Sequence, residues 1–331
     1  MTSTPAVTLR SPGEIAALVP HLTGFVPHES LVAISMRGRR QRVGLTMRVD
    51  LTDDPALVGH VVRALVADQA RACLLVVLTA APSEAGHPWA GLVADLQGAL
   101  ARSGVPVREA LLVRDERWWS YRCSQACCPA EGTALDPDSP VVRAAASEHV
   151  FQGRAVLASR AELLASVQPH LPLGPGLVRQ AQSQARRDLD DRRAVDPVRA
   201  QDRELERWRG ALDDWERRPA TPPAPEVAAL AIGLSLVAVR DTIASWALDR
   251  SDALLGLLGQ LCRAVVDPDD APVCTLLAWA AYARGDGALA LVAVQRALTT
   301  DPGYALAVLL LQALDAMLAP ESVRGLLRRP A

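Results

Sequence analysis

The stretch Ala72-Cys73-Leu74-Leu75-Val76-Val77-Leu78-Thr79 carries no charge and a single hydroxyl. A run this short and this apolar reads as a strand buried on both faces, as in a sheet with helices on each side. It commits the surrounding chain to a layered α/β arrangement, and the flanking segments supply the layers.

Upstream, Ser11-Pro12-Gly13-Glu14 opens a short helix, with Ser11 as cap, Pro12 at the first helical position and Glu14 three residues after the cap. Leu31 to Met36 and Val43 to Leu51 read as two strands joined by an arginine-rich turn, a β-hairpin. Asp53-Asp54-Pro55 then begins a helix running to about Gln69. After the apolar run come a helix from Trp89 to Ser103, closed by Gly104, a strand from Val107 to Val113 and a short strand from Arg117 to Arg122. The order predicts an α/β domain with a mixed sheet.

The second half has no strand signals. Pro169 to Gly176 reads as a hinge. Val178 to Arg218 is highly charged and nearly balanced, which predicts solvated helices laced by i,i+4 pairs. After Pro219 to Pro225 the pattern is helical over Glu226–Leu248, Ser251–Val266, Pro272–Arg284, Gly287–Thr299 and Tyr304–Leu318. Leu277, Ala278, Gly285-Asp286, Ala290, Ala297-Leu298 and Asp301-Pro302 stand at the small-residue and proline positions of a tetratricopeptide-like hairpin. A chain of 331 residues exceeds what one core usually supports, about 250–300. The expected layout is an α/β domain over 1–170, a charged helical linker over 171–225 and an all-α domain over 226–331.

Composition narrows the chemistry. All 35 basic residues are arginine, the pattern of a GC-rich coding bias. Without lysine the chain has no P-loop lysine, no Schiff-base lysine and no kinase-type lysine. Net charge is −2, so nothing overall steers the protein to nucleic acid or to an anionic membrane, and neither is expected as a partner. No apolar run approaches the roughly 20 residues of a membrane helix. The polar first ten residues lack the core of a signal peptide, and the expected location is the cytoplasm.

Three of the six cysteines and two of the seven tryptophans fall within Arg117-Trp118-Trp119-Ser120-Tyr121-Arg122-Cys123 and Cys127-Cys128-Pro129, followed by Glu131-Gly132. Strand alternation puts Trp118 and Trp119 on opposite faces, one in the core and one beside a surface or pocket. An exposed tryptophan beside Arg117 would stack a base or a partner side chain. Cys123, Cys127 and Cys128 offer three thiols, one short of a structural zinc set, with His87 or His149 as the missing ligand. Packing of the thiols under the tryptophans and redox sensing are the other readings. No cofactor is expected, with zinc the candidate should there be one.

Glu29, Ser30 and Asp50 form a second constellation, because hairpin pairing brings the ends of the first two strands together. A carboxylate pair there would serve acid/base work or hold a metal, against the plainer role of capping loops. No Gly-x-Ser-x-Gly elbow, His-Glu-x-x-His helix or dinucleotide fingerprint occurs.

Gly24-Phe25-x-Pro27-x-Glu29-Ser30-Leu31-Val32, Arg48-Val49-Asp50-Leu51, the Trp-Trp and Cys-Cys-Pro segment with Glu131-Gly132, Leu276-Leu277-Ala278-Trp279 and Arg284-Gly285-Asp286-Gly287-Ala288 lie in order along the chain. Together they resemble the actinobacterial family known as domain of unknown function 4192. The resemblance implies no activity, and implies that the two halves belong to one protein type. The expected role is an interaction or regulatory module without catalysis, docking a protein partner on its helical C-terminal domain. The alternatives are an enzyme with its site near Glu29, Asp50 and the Trp-Cys loop, and a zinc- or thiol-dependent sensor.

Overall fold

A computed structural model describes residues 11–82, 87–123, 125, 128–151, 156–172, 174–316 and 318. The chain divides into two compact units, Met1–Arg160 and Ala161–Ala331.

The first unit is built on a six-stranded mixed sheet. In chain order the strands are β1 (Ser30–Arg37), β2 (Arg42–Asp50), β3 (Ala72–Leu78), β4 (Val107–Arg114), β5 (Arg117–Ser120) and β6 (Thr133–Ala134). Their spatial order is β2-β1-β3-β4-β5-β6. Only β3 and β4 run parallel, and every other neighbouring pair is antiparallel. β3 is the apolar run, buried along its whole length. Its low polarity follows from its central place, between β1 and β4 and under helices on both faces. The two-residue β6 carries no pattern of its own and was not visible in the sequence.

Helix α1 (Pro12–Thr23) begins with the expected capping box: the Glu14 amide donates to Ser11 Oγ and the Ser11 amide to Glu14 Oε2, each at 3.2 Å. It covers one sheet face, where Ala16 and Val19 pack on Val32, Ile34, Leu74, Val76 and Leu111. α4 (Pro140–Phe151) lies beside it, with Val142 and Ala145 against Ala17 and Leu18. The residues of opposite parity, Leu75, Val77, Ala110 and Leu112, are also fully buried. They face the layer of α2 (Ala56–Ala67) and α3 (Ala90–Arg102), whose own apolar stripes include Val61, Leu65, Leu96 and Leu100.

The second unit is all helical. It comprises α5 (Arg160–Ser166), α6 (Pro175–Val195), α7 (Pro197–Arg217), α8 (Ala224–Gly233), α9 (Val237–Trp246), α10 (Ser251–Ala264), α11 (Asp270–Arg284), α12 (Gly287–Thr300) and α13 (Ala305–Asp315). The charged segment differs from a set of freely solvated helices. α6 and α7 pack against α8 and α10, and α7 buries Trp208 completely, its indole N–H donating to the Leu230 carbonyl at 3.1 Å. Glu204 is buried too, held by Arg192 at 2.8 Å and Arg207 at 3.2 Å. Among the described residues of α6 and α7 the ion pairs within one helix, Arg193–Asp190, Arg207–Glu204 and Arg217–Asp214, are spaced i,i+3, not i,i+4. The stretch expected as one helix over Glu226–Leu248 is two, α8 and α9, bent by 103°. Gly233 ends α8 where a Cβ would come within 3.1 Å of the Glu204 carboxylate, so glycine permits close packing there but disfavours helix continuation.

α11 is buried along nearly its full length and forms an antiparallel hairpin with α12. Arg296 on α12 reaches Asp270 at 2.9 Å and also donates to the carbonyls of Val167, Cys262 and Val265. Among the described residues no single helix is long and apolar enough to cross a membrane.

Candidate functional site

β5 projects its two tryptophans to opposite faces. Trp118, opposite Val113, points into the layer under α1, where its indole nitrogen would lie only 2.9 Å from a Cβ at Gly13. Trp119, opposite Leu112, faces the other way and is 9% exposed. Its indole N–H donates to the Ala130 carbonyl at 2.9 Å, and the Arg114 guanidinium stacks 5.2 Å from its ring centre.

The loop after β5 folds back over this ring. Arg117 donates to the carbonyls of Glu131 and Gly132 at 2.7 and 2.8 Å, tying the two ends of the loop together. Gly132 has φ +76°, and a Cβ there would fall within 2.4–2.5 Å of two Trp119 ring atoms. Only glycine satisfies both the left-handed backbone and the close approach. The Glu131 side chain itself is exposed.

Between this loop and the start of α3 lies a pocket of about 410 Å³, lined by His87, Trp119, Ser120, Cys123, Cys128 and Pro129 among others. The His87 ring stands edge-on to Tyr121 at 5.5 Å and tilted to Trp119 at 6.5 Å. Tyr121 donates to the Pro88 carbonyl at 2.6 Å, which locks the approach to α3 against β5. Burial, and then the charge of Arg114, hold His87 below the usual imidazole value, so it is neutral near pH 7. Burial pushes the Tyr121 phenol well above its ordinary value. Cys127 and the side chain of His149 lie outside the described residues. Among the described residues no three of His, Cys, Asp or Glu are grouped closely enough to hold a metal ion.

The second constellation is brought together only in part. Ser30 and Asp50 are register partners at the β1–β2 edge. Asp50 pairs with Arg48 at 2.6 Å, and Arg48 also donates to Ser30 Oγ at 2.7 Å. Ser30 in turn donates to the His28 carbonyl at 2.6 Å. Glu29 turns towards β3 instead: its carboxylate accepts from Thr79 Oγ1 at 2.8 Å and the Ala80 amide at 2.7 Å. Asp50, Ser30, Leu78, Val113, Trp118 and Thr133 form one transverse row across the sheet. Three inter-strand steps therefore separate Ser30 from Trp118, about 14 Å. Among the described residues, Ser30 and Asp50 have no hydrogen bond or ion pair to the Trp-Cys loop.

Two residues beside the Trp119 ring, His87 and Arg114, carry no motif. His87 precedes a helix without any recognisable spacing to the cysteines. Arg114 sits at the end of β4, and only the tight turn at Asp115 and Glu116, both with positive φ, brings it over Trp119.

No curated protein and no solved structure matches the chain. One family model does, that of a domain of unknown function (DUF4192), over residues 12–321. The match takes in the sheet, the Trp-Cys loop and the helical unit together, and the chain belongs to the DUF4192 family.

Proposed function

We propose that this protein is a regulatory or interaction module and not a catalyst, with the pocket under the loop between β5 and β6 as its responsive element. The observation that carries this reading is the engagement of the Glu29, Ser30 and Asp50 constellation in holding the sheet. Both Glu29 oxygens accept hydrogen bonds that fasten the end of β3, Asp50 is paired with Arg48, and Ser30 is bonded on both sides. A general acid or base must be aimed at a reacting atom, whereas the bonds of Glu29 and Ser30 and the Arg48 pairing of Asp50 direct these groups to the sheet. The helical unit, with its α11–α12 hairpin and the exposed Leu309 on α13, supplies the surface for a protein partner.

Stability decides between the two roles. Glu29→Gln puts an amide where a carboxylate accepts from Ala80 and Thr79, and is expected to cost about 0.5–1.5 kcal/mol. Residues kept for catalysis behave oppositely, because functional sites hold groups at a cost in stability. A gain in stability for Glu29→Gln or Asp50→Asn in urea denaturation would overturn the module reading and return these carboxylates to chemistry.

A second reading, a zinc- or thiol-based sensor, is favoured by one feature. Neutral His87 lines the same pocket as Cys123 and Cys128, and Cys127 adjoins them in the chain. Elemental mass spectrometry of reduced, untagged protein tests it. About one zinc per chain, lost in Cys127→Ser, is the expected result of a structural four-ligand site. A chain without metal after dialysis against equimolar zinc refutes the zinc form.

A further inference from the structure

The helical unit contains a pocket of its own, about 390 Å³, between α6, α8 and α10. That volume lies within the range of small-molecule sites, roughly 300–1,000 Å³. Its walls are apolar: Val178 from α6, Val227 and Ala228 from α8, Ala264 and Val265 at the end of α10. Its polar lining is His170, Gln182, Thr221, Gln260 and Arg263, and no Asp or Glu is among the lining residues.

The hydrogen-bonding state of these groups gives the pocket a sign. Gln182 is fully engaged, its amide donating to the Val266 carbonyl at 2.9 Å and to Asp269 at 2.7 Å. Gln260 Oε1 accepts from Thr221 at 2.9 Å, and its amide N–H groups have no acceptor among the described residues. The neighbouring acids are also occupied: Asp267 pairs with Arg179 at 2.9 Å, and Asp269 with Arg186. The Arg263 guanidinium has no hydrogen bond or ion pair among the described residues. His170 is fixed next to it, because its backbone amide donates to the Arg263 carbonyl at 2.7 Å. Its ring carries at least one N–H donor in either tautomer. The mouth thus presents donors and one uncommitted cation, and the interior presents alkyl groups.

We infer that this pocket binds a small monocarboxylate with an apolar body, its carboxylate held by Arg263 with His170 and Gln260, and its hydrocarbon portion against Val178, Val227 and Val265. A guanidinium grips a carboxylate with two parallel hydrogen bonds, which a neutral ligand head does not offer. The site lies wholly within the helical unit and stands apart from the reading of the Trp-Cys pocket.

Isothermal titration of the full chain with hexanoate, octanoate and octan-1-ol tests the inference. Octanoate is expected to bind about 15-fold more tightly than hexanoate, from about fourfold per methylene. Arg263→Gln is expected to weaken octanoate about 10-fold or more while leaving octan-1-ol unchanged. Val178→Trp fills the pocket from a partly exposed position, and should abolish binding of both with an unchanged circular dichroism spectrum. Equal affinity for octanoate and octan-1-ol in the unmodified chain would overturn the proposal. So would absence of octanoate binding, or binding that survives in Val178→Trp.

Discussion

Replacing Gly132 by alanine tests how the Trp-Cys loop is held. The residue has φ +76°, where an L side chain costs about 1–2 kcal/mol. The new methyl would also sit 2.4, 2.5 and 2.9 Å from Trp119 Cε2, Cζ2 and Cδ2. This ring cannot swing aside cheaply, because its N–H is bonded to Ala130 and Arg114 stacks on it. Overpacking of this kind costs about 1–3 kcal/mol, giving a total of about 2–5 kcal/mol. The two-unit chain need not unfold in one step, so a local probe is required. Native-state hydrogen exchange read by mass spectrometry reports the amides of Ala110 to Leu112, which are fully buried on β4, and the Tyr121 amide, which donates to Ala110 at 2.9 Å. Gly132→Ala should raise exchange at Tyr121 strongly. It should also raise exchange along β4 if the loop strains the sheet before it detaches. Gly98→Ala, inside α3 with only the flexible end of Arg102 at 3.3 Å, should slow exchange by about 0.5–1 kcal/mol. Unchanged protection at Tyr121 in Gly132→Ala would refute the packing of this loop on Trp119.

Asp68 accepts from Ser35, Arg37 and the Leu45 amide; burial alone would raise its pKa, but these bonds, Arg37's foremost, hold it below the usual carboxylate value. Its contribution is therefore complete above about pH 4 and is lost as pH falls through the lower folded value. Asp68→Asn should cost about 3 kcal/mol at pH 7 and flatten the acid limb of a pH–stability curve, and an unchanged limb would contradict the assignment. Arg296→Met leaves Asp270 charged and three carbonyls unpaired in a site where both charged side chains are 5% exposed. It should lower the urea midpoint by the equivalent of about 3–5 kcal/mol, and a loss below about 1 kcal/mol would speak against that network. Cys73, Cys262 and Cys274 are buried, with burial pushing Cys73 up to about 12 and Cys262 well above its ordinary value. Of the six thiols no more than three should react with Ellman's reagent before denaturation, so a higher native count would contradict their burial.

Much of the architecture was legible because local chemistry dictated it. The capping box at Ser11, the apolar run of β3 and the break at Gly104 each define an element within a few residues. The charged helices were legible as helices but not as packed ones. Their apolar stripe is a few residues, Leu189, Leu205, Trp208 and Leu212, spread through a sequence dominated by arginine and acid. The break between α8 and α9 was hidden because both halves are apolar and Gly233 is a weak stop signal by itself.

The sequence alone determined most of the elements, the mixed α/β character, the helical second half and the family, because each rests on patterns within about twenty residues or on motif order. It also placed Trp118 and Trp119 on opposite faces, since side chains alternate along any strand. Only the tertiary structure decided what those faces meet. It set the strand order, which keeps Ser30 three strands from Trp118, and it carried His87 and Arg114 to the Trp119 ring. It also left Arg263, among the described residues, without an ion pair at an apolar pocket. These are meetings of residues distant in sequence, settled by how layers and helices pack as whole bodies, and no local pattern records them.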